Sequence, residues 1–183
     1  YGRTTAIQLL ADLRADLHKP RNDASRHLHD AAMNGHVDTG TLLLQLRADV
    51  DAQDNAGRTA CWDAAGRGHD RVIRALITAR ASFIANNHGA TPAYVAAQEG
   101  HPGVIRLLTS LKPDLITTAT KAGWTPLAIS VQQGHLEATK TLILLGAPIT
   151  VQDLRQYAGA RGDARQLRAD LQAWATDALV QRY

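Results

Sequence analysis

A Gly-His pair occurs four times in the chain, at Gly35-His36, Gly68-His69, Gly100-His101 and Gly134-His135, with steps of 33, 32 and 34 residues. A recurrence of about 33 residues is the period of stacked helix-turn-helix units. Such a unit cannot bury its apolar face alone, so the core must be built between neighbours. Other positions fall into register with the pairs. Small residues precede each glycine: Ala31-Ala32, Ala64-Ala65, Ala96-Ala97 and Ser130-Val131. They let the first helix of each unit lie close to its neighbours. Leu43, Leu76, Leu108 and Leu142 stand eight residues after the glycine, and Val72-Ile73 and Val104-Ile105 stand four or five after it. That spacing puts them on one face of a second helix.

Twelve residues after each glycine the helical pattern breaks, at Arg47, Arg80, Lys112 and Gly146. The constant distance predicts helical parts of invariant length. The stretch from each break to the next unit's opening varies between nine and eleven residues, as loops tolerate insertions cheaply. Both ends read as partial units. "LRADL" (Leu13 to Leu17) anticipates "LRADV" (Leu46 to Val50) by 33 residues, so residues 4–13 read as the second helix of a truncated leading repeat. Near the other end, Gly162-Asp163 replaces Gly-His. There Ala164, Leu167, Leu171, Trp174 and Ala178 line one face of a terminal helix, the pattern of a cap.

The bulk properties narrow the function. A chain of 183 residues can bury a substantial core. The net charge is only +3, with acidic residues scattered among basic ones, which gives nucleic-acid binding no compositional support. Cys61 is the only cysteine, so no intrachain disulfide forms and a reducing intracellular compartment, the cytoplasm first, is expected. No apolar run approaches the length of a membrane span, and no signal-peptide pattern opens the chain. The first residue is Tyr1 rather than Met, which suggests a processed product or part of something longer.

"GATPAYVAAQEGHPGVIRLL" (Gly89 to Leu108) closely resembles an ankyrin repeat. "GWTPLAISVQQGHLEATKTLILLGA" (Gly123 to Ala147), "GRTACWDAAGRGHDRVIRALI" (Gly57 to Ile77) and "SRHLHDAAMNGH" (Ser25 to His36) resemble it nearly as well. Thr91-Pro92 and Thr125-Pro126 keep the family's opening, a pre-set helix start. The resemblance implies an all-α solenoid of stacked helix-turn-helix units joined by β-turn hairpins. It divides a single domain, 1–183, into a partial leading repeat (1–23), repeats 24–56, 57–88, 89–122 and 123–153, and a degenerate cap (154–183).

Candidate chemistry is thin. Repeats stack about 10 Å apart and zinc–nitrogen bonds are about 2 Å, so His36, His69, His101 and His135 cannot share an ion. The resemblance makes them structural residues of the turn between helices. His27 and His29 diverge on a helix, and His29 takes the family's Thr-Pro-Leu-His position, a structural hydrogen-bonding site. Cys61 takes the place of a buried Leu and acts as a small apolar residue; no base or pocket is evident beside it. Arg14, Arg47, Arg80 and Lys112 stand where the family carries a left-handed glycine, at about 1 kcal/mol each. Asp16, Asp49 and Asp114 follow two residues later in three of these units, so the edge reads as self-compensated. Trp62 and Tyr94 replace the motif's helical His and are expected to pack between repeats. Gly40 interrupts a second helix at about 1 kcal/mol relative to Ala.

The expected function is non-catalytic binding of a protein partner, with no cofactor and no metal, since the repeats predict no convergent polar pocket. The family's usual contact positions, on hairpins and first helices, map to Asn22, Asp23, Ser25, Met33 and Asn34 in the first unit. Asn55, Arg58 and Arg67 follow, then Asn87, His88, Gln98 and Glu99. Lys121, Trp124, Gln132 and Gln133 complete the surface. Trp124, whose hairpin equivalents are Ser25, Arg58 and Ala90, is the hot-spot candidate; packing against a neighbouring hairpin is the competing reading. Two alternatives stand beside this one. Ile7, Leu9, Leu10 and Leu13, uncovered by a companion helix, suit a constitutive subunit of a larger complex held by its ends. The chain also suits a regulatory segment of a longer polypeptide.

Overall fold

Thr91 and Thr125 begin their helices as the sequence predicts, and Thr59 begins a third in the same way. Each hydroxyl oxygen accepts the amide three residues on, from Trp62 (3.3 Å), Tyr94 (3.1 Å) and Ala128 (3.0 Å). Pro92 and Pro126 occupy the first helical position, where the missing N–H would have no partner in any case. A computed structural model of the chain describes residues 22–148, with side chains from residue 26 onward. The leading half-repeat, with Arg14, Ile7, Leu9, Leu10 and Leu13, and the expected cap at 154–183 lie outside the described residues. Among the described residues all regular structure is helical.

The chain divides into two compact units, residues 1–87 and 88–183. In the first, α1 (Asn22–Met33) and α2 (Val37–Gln45) are followed by α3 (Ala60–Gly66) and α4 (Asp70–Thr78). Helix α1 packs on α2 and α3, α3 on α4, and α2 on α4. In the second, α5 (Pro92–Gln98), α6 (Pro102–Leu111), α7 (Pro126–Gln132) and α8 (Leu136–Leu144) repeat the plan. There α5 packs on α6 and α7, α7 on α8, and α6 on α8. Each unit is thus two helix pairs, first helix against first and second against second. Ala32, Ala64, Ala65, Ala96, Ala97, Leu43, Ile73, Leu108 and Leu142 are completely buried. The core lies at the in-phase positions the beat picks out.

The beat itself has a packing cause. Gly35 and Gly100 both have positive φ, 71° and 77°, the left-handed backbone that closes each helical turn. A Cβ on Gly35 would lie 2.8 Å from His69 Cε1, and one on Gly100 would lie 2.6 Å from His135 Nδ1. The histidine ring of the following repeat fills the space the glycine leaves. From there His69 Nε2 bonds the Met33 carbonyl (3.2 Å) and His135 Nε2 bonds the Gln98 carbonyl (2.9 Å). Glycine and histidine therefore cooperate across a repeat boundary. Their adjacency in sequence reflects two different joints.

The structure corrects three expectations. Helix α1 already includes Ser25, which was expected at a hairpin position, along with Asn22 and Asp23; the first-helix start is not fixed by a Thr-Pro pair in this repeat. Arg47 and Arg80 adopt the expected left-handed backbone (φ 65° and 66°), but Lys112 is extended at φ −138°. Pro113 follows it, and the ring of a proline steers the preceding residue into the extended region. The second helices are accordingly not equal in length, since α6 has ten residues where the others have nine. The connection after it carries a short 3-10 helix, Pro113–Ile116, that buries Leu115 against α5 and α6.

Candidate functional site

In the first unit, α1, the connection after α2 and the start of α3 enclose an open cleft of about 680 Å³. Its walls carry Arg26, His29, Asp30 and Met33 from α1, and Asp49, Ala52, Gln53, Asp54 and Asn55 from the connection. Arg58 and Asp63 complete it. Polar groups converge here, contrary to the expectation that the repeats supply no such pocket. The reason is local: the turn at Asp54–Gly57 folds its side chains back toward α1 and α3.

That turn is built by Asp54. Its Oδ1 accepts the amides of Ala56 (2.9 Å) and Arg58 (2.8 Å), and its Oδ2 takes Arg58 Nε (2.8 Å) and Nη2 (2.6 Å). Backbone bonds from Gly57 N–H to the Asp54 carbonyl and from Asp54 N–H to the Arg58 carbonyl, both 2.9 Å, close the loop. Burial works against the Asp54 carboxylate, but the Arg58 and Ala56 bonds outweigh it and hold its pKa below the usual value. The Arg58 guanidinium lies 5.5 Å from the Trp62 ring centre, within cation–π range. Charge and stacking fix this arginine in one pose.

The cleft floor is an ion pair. His29 Nδ1 donates to Asp63 Oδ2 across 2.6 Å, and His29 Nε2 donates to the Ala52 carbonyl across 3.0 Å. Both neighbours are acceptors, and the ring bonds both of them at once only when it carries both protons. Burial lowers the His29 pKa; the Asp63 and Ala52 bonds, with the charges of Asp63 and Asp54, overcome it and raise the net value above 6.5. Asp63 is almost fully buried, with its second oxygen 3.9 Å from Arg58 Nε.

Of the residues expected to meet a partner, the structure brings Met33, Asn55 and Arg58 into this one cleft. Asn34 is exposed at the end of α1, where its side-chain amide donates to the Asp30 carbonyl (2.7 Å). Arg67 is exposed just after α3. Asn87 is exposed and ties its hairpin to the preceding one, through its amide to Ala56 (3.0 Å) and its side chain to the Asn55 carbonyl (3.1 Å). In the second unit, Lys121 N–H bonds the His88 carbonyl (2.9 Å) in the same way. His88, Glu99, Lys121 and Gln133 are exposed, while Gln98, Trp124 and Gln132 are half-buried. Trp124 sits at a turn closed by Thr120, whose amide bonds its carbonyl (2.9 Å) and whose hydroxyl accepts its amide (3.1 Å). The side chains of Asn22, Asp23 and Ser25 lie outside the described residues.

Sequence reasoning did not assign Asp49, Gln53, Asp54 and Asp63 to a surface site. The signals for two of them were available. Asp54 and Arg58 are four apart around Gly57, and Asp63 follows the position that His29 occupies in its own repeat. Cys61 is fully buried beside this site, and burial pushes its thiol up to about 12. Tyr94 is also buried, as expected for a residue packed between repeats, whereas Trp62 is half-buried. Among the described residues no group of three or more His, Cys, Asp or Glu is placed to hold a metal ion. No described helix is long and apolar enough to cross a membrane.

Helix pairs with glycine-closed turns, Thr-Pro helix starts and hairpins joined tip to tip define a helical-repeat binding scaffold. The family model for ankyrin repeats (three copies) matches residues 28–119 and 85–153. The chain belongs to the ankyrin repeat family, whose repeats are generally protein–protein interaction modules. It is 42% identical over 55 residues to a probable E3 ubiquitin-protein ligase of Oryza sativa subsp. japonica, 30% of this chain and 11% of that protein. It is 32% identical over 88 residues to the ankyrin repeat and KH domain-containing protein mask of Drosophila melanogaster, 47% of this chain and 2% of that protein. A potassium channel of Oryza sativa subsp. indica is 39% identical over 57 residues, 31% of this chain and 6% of the channel. The match thus spans only a small part of each of these relatives.

Proposed function

We propose that the chain is a non-catalytic module that binds a protein partner, and that the cleft of the first unit is the centre of its contact surface. The observation that supports this most is the meeting of Met33, Asn55 and Arg58, from two different repeats, around one open cleft. A chemical role for the polar groups has less support, because they are engaged with one another. Asp63 holds His29, and Asp54 holds Arg58. What they present is a fixed surface with little side-chain freedom left to lose on binding. Met33 adds a soft apolar contact at its edge. Trp124, on the second unit, is proposed as a separate anchor.

The test is affinity capture from native extract with the wild-type chain and with a Met33→Glu, Asn55→Arg double variant. The fold uses only the backbone carbonyls of these residues in its inter-repeat bonds. A protein enriched by the wild type is expected to bind the variant about tenfold more weakly, or ~1.4 kcal/mol, with the helical circular dichroism unchanged. Equal recovery removes the cleft from the proposal. Trp124→Ala, measured in the same way, tests the second anchor by itself.

A second reading has an observation of its own. Leu144 is 69% exposed and Leu145 42% exposed at the C-terminal end of α8, apolar surface that suits a contact with another subunit. Sedimentation of the isolated chain separates this reading from the first. A folded monomer at all accessible concentrations speaks against an obligate subunit.

A further inference from the structure

We propose that His29 is a proton-operated latch at the floor of the cleft. Its imidazolium ties the Asp49–Gly57 connection to α1 and α3, and loss of one proton releases that connection and reshapes the surface offered to a partner. The consequence for a partner rests on the interaction reading above; the latch itself does not.

The geometry is the basis. A neutral imidazole has one N–H, yet the ring faces an acceptor at each nitrogen: Asp63 Oδ2 at 2.6 Å and the Ala52 carbonyl at 3.0 Å. Both bonds exist together only in the doubly protonated ring. When a proton leaves to solvent, one nitrogen lone pair is turned toward an acceptor. The remaining N–H stays with the buried Asp63 carboxylate, where a charged acceptor makes the stronger bond. The bond to Ala52 is the one given up. Ala52 belongs to the segment whose Asp49, Gln53, Asp54 and Asn55 form one wall of the cleft. The segment's Asp51 Oδ1 accepts from Ser82 N–H (2.7 Å), and its Asn55 and Ala56 carbonyls accept from Asn87, so these bonds run toward the following connection. Toward α1, among the described residues, the tie is the His29 bond to the Ala52 carbonyl.

The groups around the ring set the pH range. Asp63 faces it from α3, and Asp54 and Arg58 from the turn. Asp49 lies at the start of the connection, and Arg26 and Asp30 line the same cleft from α1. The two nearest carboxylates favour the cation, and the Arg58 charge is taken up by Asp54 at 2.6 Å. His29 therefore titrates above its ordinary 6.5. The latch is closed below that value and opens as pH rises through the folded-state pKa. The same linkage makes its contribution to stability complete at low pH and lost on the alkaline side.

The experiment is an NMR titration of His29 in the full chain, with hydrogen exchange of the Ala56 and Arg58 amides over the same pH range. Once intrinsic base catalysis is divided out, protection is expected to fall about tenfold through the His29 transition, the scale set by one net hydrogen bond. In Asp63→Asn the carboxamide can donate to a neutral Nδ1 while Nε2–H keeps Ala52. His29 then titrates at or below 6.5 and protection loses its pH step. His29→Gln removes the titrating group altogether and gives a flat profile, which covers the case in which Asp63→Asn does not fold. A wild-type His29 that titrates at or below 6.5 overturns the latch, as does protection that stays constant while His29 titrates. No partner is used, so either failure leaves the interaction reading standing. Equal capture by the Met33→Glu, Asn55→Arg variant removes that reading and leaves the latch.

Discussion

Gly100→Ala and Gly134→Ala form a matched pair that isolates the work done by the Gly-His beat. Both glycines hold left-handed backbone, φ 77° and 78°, so an alanine at either costs about 1–2 kcal/mol for its conformation. Their surroundings differ. A Cβ on Gly100 meets His135 Nδ1 at 2.6 Å, whereas a Cβ on Gly134 meets nothing within 4 Å among the described residues. In Gly100→Ala the His135 ring must move, and its 2.9 Å bond to the Gln98 carbonyl goes with it. A lost net hydrogen bond is worth about 0.5–1.5 kcal/mol, and disturbed packing around the ring adds to it. Gly100→Ala is thus expected to destabilise by about 2–4 kcal/mol and Gly134→Ala by about 1–2. Urea denaturation with unchanged m-values measures the difference. The excess should vanish in a His135→Ala background, where no ring is left to displace, and a double-mutant cycle reads that coupling directly. Equal destabilisation by the two alanines, or an excess that survives removal of His135, would refute the assignment of the beat to ring accommodation.

Four further outcomes rest on particular residues. Gly40 is buried in α2 without positive φ, and a Cβ there meets only Leu28 Cδ1, at an ordinary 3.9 Å; Gly40→Ala should stabilise by about 1 kcal/mol, seen as a higher melting temperature. Arg80→Gly relieves a strained left-handed residue and should raise stability by up to about 1 kcal/mol once glycine's own entropy is subtracted. Lys112→Gly should lower it by about 0.5–1 kcal/mol, because that backbone is already extended, and opposite signs in chemical denaturation check the pair. Cys61, buried and with its thiol pushed up to about 12, should resist a maleimide reagent at pH 8 in the native protein and react promptly in urea; rapid native labelling would contradict its burial.

The periodic part of the molecule was legible because it is set by short-range rules. Thr-Pro pairs start helices, glycines close turns, and apolar residues eight beyond each glycine fill the core. The departures came where a neighbour one residue away, or a contact 34 residues away, overrode the periodic rule. Lys112 reads as a left-handed break until the following Pro113 is considered. The cleft is harder still. No local pattern states that His29 and Asp63 approach to 2.6 Å, or that the Ala52 carbonyl lies at the far side of the ring. That site depends on how one connection folds across two repeats, and a family pattern averages such detail away.

The joints between repeats have a consequence for how such a scaffold diversifies. The acceptors for His69 and His135 are main-chain carbonyls, at Met33 and Gln98. Every amino acid supplies that oxygen, so the joint sets no requirement on the side chain that accompanies it. Position 33 thereby serves two masters at once: its backbone holds the next repeat in place, while its side chain faces the cleft and is free to change. On the proposed contact surface, assembly and recognition are thus written on different atoms of the same residue. A binding surface built this way can be rewritten one position at a time without loosening the array that carries it.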